Sequence, residues 1–510
     1  MRLFAEPKAD QARIARLPPP VGGFTTSKPF MQMKPLSAVL MENFYPFPDR
    51  LEMRQGYSSH ATGFSEIPLR LWNYASGANP ERLFATTDDG IYDISSPGAV
   101  GAPAAVLTNG KTSAVTMSTG AAFYFICVNG VDDLVRYDGS TWTTVATFGS
   151  VNTEDLSYVE VYRQRLFFAI KNSLRIAYLP INSISGSAVT YDMGAIFRQG
   201  GEIIAMGTWT LDGGAGPEDQ LAIVSSKGEI AVFAGSDPTS PASWGLRGVY
   251  FIGKPLGERP LYKYGGDLLF ISENGLYPLS EAVQSSAIDR VRSVTEEIRQ
   301  YFNDSARDFG SFEGWQVFAM PDIPLLLVNI PSEPSRRQVI MHAQTGAWGV
   351  LKGWNAYAFA RVNTTVYFSS ADTVWRVGGA SDNGANITSS LIQAHTDFGY
   401  PLAKQVTMVR PFFVTEGNFN YTLGVTDDFR SLAASTALAK TDLAGTSLWG
   451  SGVWGTAVWG GTSTPLQEWQ TVPDKFSVFK AFYIQLTSRV ASVQYQGVQL
   501  QYLAGANPLD

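Results

Sequence analysis

Cysteine is almost absent. Cys127 stands alone among 510 residues, so no disulfide can close within the chain. It lies in the apolar run FYFICV and reads as a small buried hydrophobe. Histidine is scarce too, with only His60, His342 and His395. A Ser/His/Asp site has little to draw on, no Gly-x-Ser-x-Gly elbow occurs, and no phosphate-cradling Gly loop precedes a helix. No window reaches the ~18–20 apolar residues of a membrane span. The first residues, MRLFAEPKADQARIARLPPP, lack an apolar signal region and a cleavage pattern, so a soluble compartment is expected. Positive charge is in deficit: the net charge is −7 and the pI near 5.2. A protein that reads DNA sequence would more often be basic. Helical periodicity is confined to one stretch, 287–302, with Ile288, Val291, Ile298 and Phe302 on one face and Arg290, Glu296, Glu297 and Arg299 elsewhere.

What is present is a hairpin, repeated. Leu83–Ile94, LFATTDDGIYDI, reads as strand, tight turn and strand, with Gly90 expected to supply a positive φ. The pattern returns as YFICVNGVDDLVRY from Tyr124, LFFAIKNSLRIAYL from Leu166 and LAIVSSKGEIAVF from Leu221. It returns again as LLFISENGLYPL from Leu268, LLLVNIPSEPSRRQVIMH from Leu325 and VYFSSADTVWRV from Val366. The starts are 41, 42, 55, 47, 57 and 41 residues apart, which is the spacing of four-stranded propeller blades. Each hairpin should be followed by an outer strand, visible at TWTTVAT and AWGVL. There Trp142 and Trp348 follow a Gly turn and can pack between sheets. The fold expected is all-β: a propeller of six to eight blades, seven fitting best, with a second antiparallel domain. A β-sandwich with long insertions is the alternative topology.

The chain divides on this reading into an arm and entry segment (1–66), the propeller (67–385) and a C-terminal sandwich-like β domain (386–510). The arm is basic at Lys8, Arg13 and Arg16, stiffened by Pro18–Pro20 and loosened at Gly22-Gly23. It is either a disordered tail or a segment draped over a neighbouring subunit. Residues 36–63 hold Pro46 and Pro48, which break helix, and lead into the first blade. Thr208–Asp219, TWTLDGGAGPED, reads as a solvated loop, since its acidic spacing does not match a calcium loop. In ASVQYQGVQLQYL, Val493 and Tyr495 alternate in one parity and Val498, Leu500 and Tyr502 in the other, as a bulge at Gly497 would produce.

The least ordinary stretch is Leu448–Gly461, LWGSGVWGTAVWGG, where Trp449, Trp454 and Trp459 recur every five residues. Five is neither a helix nor a strand period. These rings are the candidate interface residues, buried either against a partner chain or within their own domain. No residue is assigned to catalysis, to a cofactor or to a metal. His395-Thr-Asp397 could put two ligands on one strand face, but nothing supplies a third. Asp88, Asp89, Asp132 and Asp133 sit at hairpin turns, where solvated carboxylates are the rule. Asp138-Gly139-Ser140-Thr141-Trp142 resembles a sialidase Asp box, except that its Asp and Gly are adjacent.

Three segments resemble the tail nozzle, or tail tubular protein B, family of short-tailed bacteriophages. They are AVLMENFYPFPDRLEMRQGY, Val224–Ser280, and LWGSGVWGTAVWGGTSTPLQEWQ, in that order along the chain. The resemblance implies a structural virion protein and not an enzyme. It implies a homo-hexameric ring below the head–tail adaptor and portal, assembled in the host cytoplasm, with tail fibres or tail-tip proteins as further partners. DNA would leave through its channel without sequence-specific binding, and no cofactor is implied. Six chains at −7 give a ring of −42, so a lumen of Asp, Glu and neutral polar residues is expected, over which duplex slides. The alternative is a receptor- or carbohydrate-binding propeller module of a tail fibre or host surface. An enzyme would need carboxylates converging on the propeller centre.

Overall fold

The computed structural model describes residues 12–504 apart from 78–80, 213–216, 241–242, 285–291, 416, 418, 430–435, 441–463 and 489–491. The chain forms two compact units. One holds residues 1–58, 339–352 and 378–510, the other residues 59–338 and 353–377, so the backbone crosses between them four times.

The larger unit is a β-propeller. All seven hairpins fold as strand pairs, because each alternates apolar residues for its two faces between short polar turns. Among the described residues, the first four blades have four strands each. Their first strands are Arg70–Tyr74, Ser113–Ser118, Leu156–Tyr162 and Ile203–Asp212. The fifth blade has three strands, beginning with Leu261–Tyr264. The sixth pairs Gln316–Ala319 with Leu325–Ile330 and continues into Arg337–His342. The seventh contains Ala358–Val362, Thr365–Ser370 and Thr373–Val377, and its next strand is Tyr57–Thr62 from near the start of the chain. The ring is therefore closed by a strand from the other end of the sequence. Phe84, Phe125, Tyr137 and Trp142 fill the space between the first two blades, with Phe84 and Trp142 ring centres 5.0 Å apart. That is the role expected of Trp142. Cys127 is buried in the same cluster.

The smaller unit is a sandwich. One sheet contains Lys404–Thr415 and Val493–Ala504, with Leu51–Met53 and Arg13–Leu17 added to the latter. The other runs through Trp348–Leu351, Gly23–Phe24, Ser37–Glu42, Ile387–Gln393, Lys480–Ser488 and Phe419–Asp427. The two faces meet at Phe413 against Phe419 and Tyr421, and at Phe482 against Tyr495. The bulge expected at Gly497 is present. Phe412 pairs with Gly497 and Phe413 with Tyr495, so the register slips by one and both parities face inward.

Several sequence expectations give way. Residues 1–11, with Lys8, lie outside the described residues, and 12–66 do not form a separate arm. Arg13–Leu17 pairs with Val498–Tyr502 inside the sandwich, and Ser37–Met53 supplies three more of that unit's strands before the chain reaches the propeller. Trp348–Leu351 lies next to Arg337–His342 as the outer strand expected at AWGVL, but the compact unit that holds most of the propeller leaves out 339–352 and ends at 377. Of the stretch 287–302, residues 287–291 lie outside the described residues; among the described residues the α-helices are Leu279–Gln284 and Arg299–Phe309, the second after a short 3-10 turn at Glu296–Ile298. Ser293 and Thr295 are claimed by the fifth blade: Thr295 Oγ1 accepts the Leu276 N–H and Ser293 Oγ donates to the Leu276 carbonyl. Hydroxyls that bond a neighbouring strand compete with helix. The loop at Thr208–Asp219 is mostly strand, since Ile203–Asp212 pairs with Pro217–Ser225 and Trp209 is buried. Gly90 does not take a positive φ. A Cβ there would meet Pro103 Cβ at 2.5 Å and the Ala105 carbonyl at 2.6 Å, so close approach is the reason for glycine.

Gly56 is a second close approach. A Cβ would lie 1.9 Å from the Ser381 carbonyl, and the Gly56 backbone is bonded to Gly378 and Gly379. Gly56→Ala should cost at least about 1–3 kcal/mol through forced backbone shifts, measured as a lowered urea midpoint.

Candidate functional site: the axial cavity of the propeller

The first strand of each blade faces the propeller axis. Around the ring, successive first strands from the second blade onward touch one another, and Ala358–Val362 of the seventh touches Arg70–Tyr74 of the first. They enclose a cavity of about 540 Å³, to which every blade contributes. That size suits a small organic ligand. Trp72, Tyr158, Tyr262, Phe318 and Phe359 give it aromatic walls.

Charge is concentrated where the chain enters the first strands. Arg70 opens the first blade, Lys111 precedes the second and Arg259 precedes the fifth. Arg70 Nη2 binds Glu258 Oε2 at 2.9 Å and Glu313 Oε2 at 2.8 Å. Lys111 Nζ lies 3.5 Å from Glu258 Oε1 and 3.8 Å from Glu313 Oε1. Burial works to raise the Glu313 carboxyl, but the charges of Arg70 and Lys111 hold it below its ordinary value. Arg259 is placed differently. Its Nη2 donates to Gln316 Oε1 at 3.2 Å, and among the described residues no carboxylate stands within ion-pair distance. Burial, then the like charge of Arg70, bring the guanidinium down to about 9, which leaves it charged at neutral pH. Near Tyr158, burial pushes the Glu160 carboxyl up to about 7, against the Val161 N–H and the charge of Lys263.

The residues singled out from sequence lie elsewhere. Trp449, Trp454 and Trp459 fall outside the described residues. Asp88, Asp89 and Asp132 are not free turn carboxylates but hydrogen-bonded ties. Asp88 accepts the Gly110 N–H, and Asp132 accepts the N–H and hydroxyl of Thr108 and the amide of Asn129. Burial would raise Asp89, yet hydrogen bonds from Ser65, Thr87 and Tyr92 hold it low. Asp133 stands 3.5 Å from the Thr153 hydroxyl, and Asp138 caps its own turn by accepting the Ser140 and Thr141 N–H groups. His60 bonds the Ile94 carbonyl at 2.7 Å against the Tyr367 ring. His342 packs on Phe47, and His395 lies by Thr426, Phe30 and Phe429, burial lowering the basicity of both imidazoles. Asp397 accepts the Gly399 N–H at 2.9 Å. Among the described residues no three metal-ligating side chains are grouped for an ion, and no helix is long and apolar enough to cross a membrane.

Sequence reading missed Arg70, Lys111, Glu258, Arg259 and Glu313, which are spread over more than half the propeller. The one local signal was a charged residue at the threshold of a blade's first strand.

No protein-family model and no curated protein matches the chain. Solved structures similar to it include BBS1N in complex with ARL6DN, at 9% identity and TM-score 0.38, covering 64% of this chain and 97% of that one. The WD40 β-propeller domain of Doa1 follows at 11% identity and TM-score 0.38, covering 63% and 96%. YCF48 from Cyanidioschyzon merolae has 10% identity and TM-score 0.39, covering 63% and 98%. At these scores the seven hairpins and their sheets, and not the matches, carry the propeller assignment.

Proposed function

We propose that the chain is a structural protein of a short phage tail. Six copies form the nozzle ring, attached to the head–tail adaptor, and the ring is the distal channel for DNA ejection. The carrying observation is that the resembling segments span both units. AVLMENFYPFPDRLEMRQGY runs through strands of the sandwich, and Val224–Ser280 builds parts of the fourth and fifth blades. A shared propeller repeat alone would not include the first of these. The architecture suits a part that bears load: the propeller is closed by Tyr57–Thr62, and the chain passes four times from one unit to the other. In this reading the protein is not an enzyme, and it reaches the virion tail after assembly in the host cytoplasm.

Native mass spectrometry with class averages of the particles tests the proposal. Six copies of the 55.5 kDa chain around a channel with an acidic and neutral polar lining are expected. A continuous basic lining defeats the sliding argument. A monomer that stays monomeric with adaptor and portal defeats the nozzle. The axial cavity favours a second reading, a receptor- or carbohydrate-binding module, for which a trimer would speak.

A further inference from the structure

Charged groups crowd the cavity wall. Arg70, Lys111, Arg259 and Arg361 line it with Glu202 and Glu258, and Glu313 stands beside it, paired with Arg70. Among the described residues, Arg259 uses one of five donors and uses it on a neutral amide. Other hydrogen-bonding capacity is unspent nearby. Asn73 Oδ1 is buried with no partner while its amide nitrogen binds Glu81, and Tyr158 lines the same cavity. Buried polar groups left in this state cost free energy, which a ligand with matching groups recovers.

We propose that the axial cavity binds an acidic sugar, a monocarboxylate carried on a hydroxylated ring. The Arg259 guanidinium takes the carboxylate, for whose two oxygens its planar fork is shaped. Tyr158 and Asn73 meet ring hydroxyls, and the aromatic walls take the apolar face of the ring. One guanidinium without a carboxylate partner among the described residues matches one carboxylate. The volume admits one or two sugar rings. The site lies within one propeller, so it stands or falls apart from the six-fold assembly.

Calorimetric titration of the full-length chain with D-glucuronate, D-glucose and inorganic phosphate tests this. Glucuronate should bind saturably, one per chain, and glucose at least tenfold more weakly. Arg259→Gln should weaken glucuronate at least tenfold, as loss of a charged hydrogen bond implies. Arg259→Lys should recover only part of the affinity. No saturable heat, glucose equal to glucuronate, or an unaffected Arg259→Gln protein overturns the proposal. Phosphate binding as tightly as glucuronate overturns the sugar and leaves a bare oxyanion site. Should Arg259→Gln fail to fold, Tyr158→Phe decides, since it removes only a hydroxyl: weakened glucuronate binding supports the site, and unchanged binding refutes it.

Discussion

Replacing Arg54 by Ala is expected to destabilise the sandwich unit by about 3–5 kcal/mol, the cost of breaking a buried pair from one side. The side chain is 1% exposed and every donor is used. Nη1 and Nη2 grip Asp382 at 2.8 and 2.6 Å, and Nε donates to Asn43 Oδ1 at 3.0 Å. The carbonyls of Gln55 and Lys352 take the rest, each at 2.9 Å. These partners stand near three of the four places where the chain passes between units: Gln55 before 58, Lys352 at its own crossing, Asp382 after 377. One guanidinium thus fixes three segments distant in sequence, around residues 54, 352 and 382. Asn43 completes the knot, since its Oδ1 also accepts the Lys352 N–H and its amide binds the Thr388 carbonyl. Arg54→Lys should recover little, because an ammonium cannot reproduce the fork. Equilibrium urea unfolding followed by tryptophan fluorescence reads both. A change below about 1 kcal/mol would mean the knot is redundant.

Lys480→Met should cost a similar amount at neutral pH, with a pH dependence of its own. The Lys480 ammonium is wholly buried and lies between Asp427 and Asp474, the latter at 2.7 Å, with the Lys475 carbonyl as third acceptor. Methionine fills much of the space but leaves two carboxylates facing each other without a cation. Burial pushes Asp474 up to about 6, the Lys480 hydrogen bond opposing it. Its folded value exceeds the unfolded 3.8, so its contribution to stability is full below about pH 4 and is lost as pH rises through 6. Asp427 runs the other way. Burial would raise it, but the Lys480 hydrogen bond prevails and holds it low, so its contribution is present above about pH 4 and lost below. The loss in Lys480→Met should therefore be larger at pH 7 than at pH 5, where Asp474 carries a proton. Asp474→Asn should flatten the decline in stability between pH 4 and 6.5. Urea midpoints across that range decide, and an equal loss for Lys480→Met at pH 5 and 7 would refute the account.

The propeller was legible because its code is local. Each hairpin is written within about twelve to eighteen residues, by alternation and a turn, and the period between hairpins needs no knowledge of partners. The same holds for the bulge at Gly497, where the parity of Val493, Tyr495, Val498 and Leu500 changes along a single strand. The sandwich strands near the start of the chain were not legible. Arg13–Leu17 reads as a basic, polar stretch, and only Val498–Tyr502, nearly five hundred residues on, makes it a strand. Ser293 and Thr295 leave the helix expected over 287–302 for a related reason: their hydroxyls bond the Leu276 backbone.

By itself, then, the sequence determined the class of the fold, the number and placement of hairpins, the burial of Cys127 and the role of Trp142. All of these follow from neighbours within a blade or from composition. Tertiary structure alone decided that Arg13–Leu17, Ser37–Glu42 and Leu51–Met53 belong with Ile387–Gln393 and Val493–Ala504, and that Gly56 and Gly90 are glycine for want of space. It also decided that Arg54 ties the chain crossings together and that Arg70, Lys111 and Arg259 meet at one axis. The physical reason is common to them. A β-strand's backbone pairing and a cation's counter-charge come from whichever segment the closed ring or the sandwich brings alongside, and nothing in a strand's own alternation names that segment.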